Sequence, residues 1–253
     1  MSSSGPSPRS GGPTVDVRRA AARFVSRVDG VEQRHCFSFG EHYDPDNVGH
    51  DRLLVSNEEL LASGAGFDDH PHADAEIVTW VLSGSLVHED STGHRGVVYP
   101  GLAQRMSAGR GIVHAERNDA FRGGGDLAVP PVHYVQMWLR PDVSGTEPSY
   151  AQREVDRGDL SGGWVPVVSG HEPDAAVSVG ARGCTLWATV LKPDVTRVLP
   201  AAPFVHLYVA RGELQLESGG PLAAGDSVRL TGEAALSATA SSEAELLVWQ
   251  LSR

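Results

Sequence analysis

Cysteine is nearly absent, with only Cys36 and Cys184 among 253 residues. Two cysteines can build neither a disulfide scaffold nor a four-cysteine zinc site, so any metal chemistry must run on histidine and carboxylate. Positive charge is scarce as well. Lys and Arg number 21 against 32 Asp and Glu, a formal charge of −11. An acidic chain repels phosphate backbones, which disfavours direct nucleic-acid binding. No run approaches the ~18 apolar residues a membrane helix needs. The opening stretch, MSSSGPSPRSGGPTVD, has no apolar segment of the kind a secretory signal uses. With so few cysteines, the expected compartment is a reducing cytoplasm. The 29 glycines and 16 prolines make the chain loop-rich without reaching a low-complexity composition.

What is present is a 40% hydrophobic composition, sufficient for a core, and eleven histidines. The length fits one or two domains. Helical signals are few. Val15–Ser26 fits either a short helix or strand–turn elements, and Ser56–Ala62 at most one helical turn. Elsewhere short β-branched runs are cut by Gly, Pro and Asp: Ile77–Leu82, Gly96–Tyr99, Pro131–Leu139, Val205–Val209, Leu214–Leu216 and Leu246–Leu251. Many short strands with regular turn signals predict an all-β sandwich or barrel.

A repeat divides the chain. Val81-x-x-Gly84-x-Leu86-x-x-Glu89 returns as Val209-x-x-Gly212-x-Leu214-x-x-Glu217, at a constant offset of 128. Each copy runs on to a turn and then to an apolar strand bearing Trp138 or Trp249. Coincidence between two hairpins is the plain alternative; two tandem barrels explain four matches at one offset better. The expected division is a disordered tail over 1–14, a first domain over 15–140, a linker over 141–164 and a second domain over 165–253.

Two histidine pairs stand out. In His70-Pro71-His72 the imidazoles sit at i and i+2 of a segment that Pro71 biases to extended backbone, so both face one side. His114-Ala115-Glu116 repeats that spacing with a carboxylate. If the two segments are neighbouring strands, three imidazoles and one carboxylate converge, a donor set suited to a divalent transition metal with positions left for substrate or O₂. Either pair alone is common on protein surfaces. Glycines 64, 66, 84, 109 and 111 surround both pairs and mark turns at a barrel mouth. Within the repeat, His70 and His72 shift onto Val198 and Pro200, and His114 and Glu116 onto about Ala238 and Ala240. None of these binds a metal, so the site is confined to the first half. His88 and His94 read as exposed hairpin residues, His206 as packing or solvent-facing, Cys36 as buried beside Phe37, and Asn118 as satisfying turn backbone.

The run from Gly66 through His70-Pro-His72-Ala-Asp-Ala-Glu76 to Gly84 resembles the signature of the pirin family within the cupin superfamily. So do His88-Glu-Asp-Ser-Thr-Gly93 and Met106-Ser-Ala-Gly-Arg-Gly-Ile-Val-His114-Ala-Glu116. His35-Cys-Phe-Ser-Phe-Gly40, Tyr43-Asp-Pro45, Val135-Gln-Met-Trp138 and Pro148-Ser-Tyr150 extend the likeness over about residues 15 to 160. The resemblance implies a bicupin of two tandem antiparallel jelly-roll barrels with few short helices, the second barrel degenerate. It implies one metal held by His70, His72, His114 and Glu116, with Glu76 as a further candidate near it. Ala73-Asp74-Ala75 departs from the triplet common after H-P-H, which affects substrate preference rather than metal binding. The implied activity is that of a quercetin 2,3-dioxygenase, opening a flavonol with O₂. Glu116 would be both ligand and the base that takes the substrate's hydroxyl proton. Fe(II) is the first expectation for the metal, with Mn, Ni, Zn or Cu as alternatives. The other function class is a non-enzymatic, metal-dependent module that binds a transcriptional or metabolic protein partner. A monomer is expected.

Overall fold

The computed structural model describes residues 13–118, 129–232 and 235–252. The expected tail therefore lies outside the described residues up to position 12, while Thr14 already begins a strand. The first half contains β1 (Thr14–Arg18), β2 (Phe24–Val28), β3 (Val31–His35), β4 (Leu53–Leu61), β5 (Gly66–His72) and β6 (Glu76–Ser83). It continues with β7 (Leu86–Asp90), β8 (Arg95–Val98), β9 (Leu102–Ser107), β10 (Ile112–Asn118), β11 (Val132–Leu139) and β12 (Ser149–Glu154). A single helical turn, α1 (Arg157–Gly162), follows, started by Asp156, whose carboxylate accepts from the Gly158 amide. The second half has β13 (Val165–Ser169), β14 (Val177–Ser178), β15 (Cys184–Leu191), β16 (Thr196–Val198) and β17 (Phe204–Arg211). It ends with β18 (Glu213–Leu216), β19 (Gly220–Ala223), β20 (Ser227–Thr231), β21 (Ser237–Ala240) and β22 (Ala244–Leu251).

Each half is a sandwich of a seven-stranded and a four-stranded antiparallel sheet, apart from one short parallel pair, β13 with β14. The sheets do not close by hydrogen bonding, so the expected barrels are open sandwiches of bicupin type. The first half orders its strands β12-β9-β6-β11-β4-β3-β2 and β5-β10-β7-β8. The second repeats this as β1-β20-β17-β22-β15-β13-β14 and β16-β21-β18-β19. Of residues 56–62, expected to hold at most one helical turn, 56–61 belong to β4: its alternating burial places Leu53, Val55, Asn57, Glu59 and Leu61 inward, and strand pairing overrides a weak helical signal. Val15–Ser26 takes the strand–turn alternative, with a short 3₁₀ turn at Ala20–Ala22 between β1 and β2. The segment expected as a linker carries β12 and α1.

The repeated glycines have a steric reason. Gly84 and Gly212 both take positive φ, at 75° and 76°. A Cβ on Gly84 would lie 2.8 Å from the Pro131 carbonyl oxygen, and one on Gly212 would lie 2.1 Å from that of Glu243. In both halves, then, the turn after the central strand presses against the entry to the last strand, and only glycine fits.

The two seven-stranded sheets pack back to back through one apolar cluster that includes Phe37, Trp80, Met137, Tyr208, Leu247 and Trp249. Trp80 donates to Glu245 at 2.7 Å across this interface, and the Trp249 indole N–H approaches the Met137 sulfur at 3.1 Å. One edge strand crosses between the halves. β1 pairs with β20 of the second half, whereas β12, which follows the first half in sequence, pairs with β9.

Glu58 ties this interface electrostatically. Its carboxylate is ion-paired with Arg23, accepts from the Tyr208 hydroxyl at 2.9 Å and meets His133 Nε2 at 2.8 Å. Burial alone would raise its pKa, but the His133 bond and the Arg23 charge hold it down at about 2. A carboxyl held below its ordinary value stabilises the fold above about pH 4.5, and that contribution drains away as pH falls towards 2. Glu58→Gln should therefore cost on the order of 3 kcal/mol at pH 7. Denaturant titrations should show that difference shrinking between pH 4.5 and pH 2.

Candidate metal centre

The site forms because β10 is paired on both sides. Across from β5, His114 stands opposite His70 and Ile112 opposite His72. Across from β7, Glu116 stands opposite His88 and His114 opposite Asp90. Directly opposed residues in an antiparallel sheet share a face, so the inward side of this small sheet collects four imidazoles and two carboxylates. The ring centroids of His70, His72 and His114 lie 4.3 to 4.9 Å apart. Their donor atoms all fall within 4.8 Å of one another.

The hydrogen bonding leaves these rings prepared for a ligand. His70 Nδ1 is 2.7 Å from the Asp68 carbonyl, which fixes the ring and turns Nε2 towards the cluster. Among the described residues, His72 Nε2 and both nitrogens of His114 are buried without a partner. Burial, reinforced by the neighbouring imidazoles, pushes His72 down to about 4 and His114 down to about 3. Both rings are neutral at pH 7, the state in which an imidazole nitrogen can bind a metal.

Glu116 is placed differently. Its carboxylate groups with His88 and His114, so the donors form two triads sharing His114 rather than one compact set of four. Gln136 Nε2 donates to Glu116 Oε2 at 2.7 Å, and Trp138 Nε1 donates to Gln136 Oε1 at 3.0 Å. An indole N–H can only donate, so the Gln136 amide must turn its oxygen to Trp138 and its NH₂ to Glu116. A cavity of about 170 Å³ is lined by His70, His72, Glu116 and Gln136 together with Gln33, Phe39, Glu59, Phe67 and Trp138.

His88 corrects the sequence reading. It is fully buried, not exposed, because β7 is an inner strand of its sheet and the side chain faces Glu116. Its Nε2 is 3.3 Å from Asp90, leaving Nδ1 buried and unpartnered. His94, at the turn, has a 45% exposed side chain, as expected. Glu76 is not with the cluster; it accepts from Ser107 at 2.7 Å and lies against Gly180 of the second half. Asn118 donates to the Leu61 and Pro130 carbonyls, His206 is buried, and Cys36 is buried beside Phe37. Gln33, Glu59 and Gln136 carried no signal at fixed spacing, since each faces the cavity through long-range strand pairing. The repeat signal also needs adjustment: Leu216, at His88 plus 128, pairs with Ala238, so Ala238 takes the place of Glu116 and Leu236 that of His114. The second half still offers no donor at these positions.

Comparison with known proteins agrees with this architecture. The family model for pirin matches residues 15–139, and that for the quercetinase C-terminal cupin domain matches residues 163–251. A Mycobacterium tuberculosis protein, provisionally named a quercetin 2,3-dioxygenase, is 50% identical over 94% of this chain and 95% of its own length. The quercetin 2,3-dioxygenase of Escherichia coli K12 is 32% identical over 94% of this chain and 98% of its own. A crystal structure of a bacterial pirin from Escherichia coli in complex with nickel(II) superposes with a TM-score of 0.84 at 31% identity, covering 94% of this chain and 99% of that one.

One glycine holds the register of the site. A Cβ on Gly66 would lie 2.3 Å from the Glu116 carbonyl oxygen and 2.5 Å from the Arg117 Cα, both backbone atoms of β10. Gly66→Ala must therefore push β5 off β10, at a cost of about 1–3 kcal/mol. Thermal unfolding should show a lower melting temperature, and a cobalt(II) titration should show weaker binding than wild type.

Proposed function

Because the chain belongs to the pirin family, we propose that it is a metal-dependent dioxygenase able to open the central ring of flavonols such as quercetin with O₂. The observation that carries this reading is a cluster of neutral, unpartnered imidazole nitrogens beside a carboxylate, opening on a cavity walled by Phe39, Phe67 and Trp138. Buried polar atoms without partners are costly unless a ligand satisfies them, and three nitrogens with one oxygen suit a divalent transition metal. His70, His72, His114 and Glu116 would hold it. Fe(II) is our first candidate; manganese, nickel, zinc and copper fit the same donors. Bound there, the ion supplies Lewis acidity and redox access to O₂.

The chain's own groups supply the rest. Phe39, Phe67 and Trp138 seat a planar aromatic ring and keep water from it. At about 170 Å³ the cavity is smaller than a typical drug-sized site, so a flavonol enters by its hydroxyl-keto edge and the remainder lies in the mouth. Glu116, steadied by Gln136, is the base that takes the proton of the substrate hydroxyl. The site belongs to the proposed first domain, 15–140, and we read the protein as a cytoplasmic monomer. Among the described residues no helix is long and apolar enough to cross a membrane.

Metal analysis of freshly purified protein tests the ligand assignment. Wild type should hold about one ion per chain, and His70→Ala and His114→Ala should lose it; undiminished metal in both variants would overturn the site. Gln136→Leu should retain the donors but weaken metal affinity by about 10- to 100-fold. Glu116→Gln should keep part of the metal and lose quercetin consumption under O₂. Fully loaded wild-type protein that leaves a panel of flavonols unconsumed would overturn the enzymatic reading in favour of a binding module.

A further inference from the structure

The cavity holds a second carboxyl that the metal assignment does not use. Glu59, on β4, is only 2% exposed yet lines the same space as His70, His72 and Glu116. Gln33 Nε2 donates to its Oε1 at 2.9 Å, which fixes the side chain. The Asn57 side chain also bonds this carboxyl, and its buried Oε2 has no hydrogen-bond partner among the described residues. Tyr134, directly opposite Glu59 on β11, is likewise fully buried with an unpartnered hydroxyl. Burial and the nearby Glu116 charge push Glu59 up to about 8, so it is mostly protonated at neutral pH.

A structural role does not account for this group. At the corresponding register, opposite Leu246, the second half places Thr189, a smaller group whose hydroxyl is satisfied by the Leu160 and Gly163 carbonyls. An unpartnered buried oxygen costs about 1–3 kcal/mol, and a leucine here would remove that cost. A ligand can remove it too. Inserting one hydroxyl beside Oε2 satisfies the group in either protonation state, because a hydroxyl accepts from a carboxylic acid and donates to a carboxylate.

We propose that Glu59 contacts the ligand directly, its Oε2 hydrogen-bonding a hydroxyl group of the bound aromatic, so that the cavity selects hydroxylated aromatics over analogues lacking that group. This inference rests on the reading of the cavity as a flavonol site and adds a specificity determinant to it. A site built to pair a substrate hydroxyl rejects the analogue without it, because its own buried polar atom is then left unsatisfied.

The test uses metal-loaded protein kept free of O₂, so that binding is read without turnover. Quercetin and 3-hydroxyflavone share the 3-hydroxyl and the keto oxygen, but the latter lacks the 5-hydroxyl that sits beside the keto oxygen on the entering edge, as well as the outer hydroxyls. Calorimetric titration of wild type should favour quercetin by about ten-fold or more. Glu59→Leu should bring the two affinities to within about two-fold by weakening quercetin alone, and Glu59→Gln, which keeps a donor and an acceptor, should retain the preference. Circular dichroism melts should show both variants folded, with the leucine variant at least as stable as wild type. An unchanged preference in Glu59→Leu, or no preference in wild type that binds both compounds, would overturn the role of Glu59 and leave the flavonol reading intact. If wild type binds neither compound, the flavonol reading fails and the inference fails with it.

Discussion

Everything at the site depends on the two-sided pairing of β10. One strand sets His114 against His70 on one edge and Glu116 against His88 on the other, and on the β5 side alone the register shifts between His114 and Glu116, which meets Phe67 there. A slip by one residue would turn every donor outward, since side chains alternate across a strand. The register is held at the point where the Gly66 backbone lies against Glu116 and Arg117, and by burial of Ile112 and Asn118 at the ends of the same strand. The chemistry therefore rests on strand registration more than on loop geometry, and ligands on strands are held more rigidly than ligands on loops.

The legibility of the sequence followed the range of the interactions concerned. His70-x-His72 and His114-x-Glu116 were readable because both members of each pair lie on one strand, where the two-residue period is local. The division into two similar halves was readable because Gly84 and Gly212 answer the same steric demand. His88 was misread because burial of β7 is decided by β8 and β10 on its two sides, and a hairpin motif looks alike in exposed and inner strands. Gln33, Glu59 and Gln136 were invisible for the same reason. They sit on three different strands, and only the pairing of β3, β4 and β11 brings them to one wall. The counterparts expected for His114 and Glu116, Ala238 and Ala240, miss by two residues, because the loops between the matched strands differ in length.

The second half shows what the fold prefers when no site is required. At the register of Gln136, flanked by Thr79 and Asn57, it carries Val248, flanked by Leu207 and Trp187. In place of Glu116 it has Ala238, and most of its interior is Leu, Val and Ala, with the Thr189 hydroxyl bonded to the Leu160 and Gly163 carbonyls. That half is still indispensable to the first. Trp249, Tyr208 and Leu247 pack against Trp80, Phe37 and Met137, and β1 leaves the N-terminus to complete the second half's larger sheet. Neither sandwich buries its large sheet without the other, so the half without donors acts as the support for the half that has them.

That support explains how so polar an interior can be tolerated. Unpartnered buried atoms of His72, His88, His114, Glu59, Gln104 and Tyr134 lie within the first half. Each costs about 1–3 kcal/mol while unsatisfied, and together they weigh heavily against the marginal stability of an ordinary domain. The apolar interface between the sheets and the Glu58 ion-pair network lie outside this interior, so they can offset the cost without filling the cavity. Groups kept at such expense around one cavity are best understood as waiting for ligands. In the proposed function the imidazoles and Glu116 answer to a metal, and Glu59 to a polar group of the molecule bound beside it.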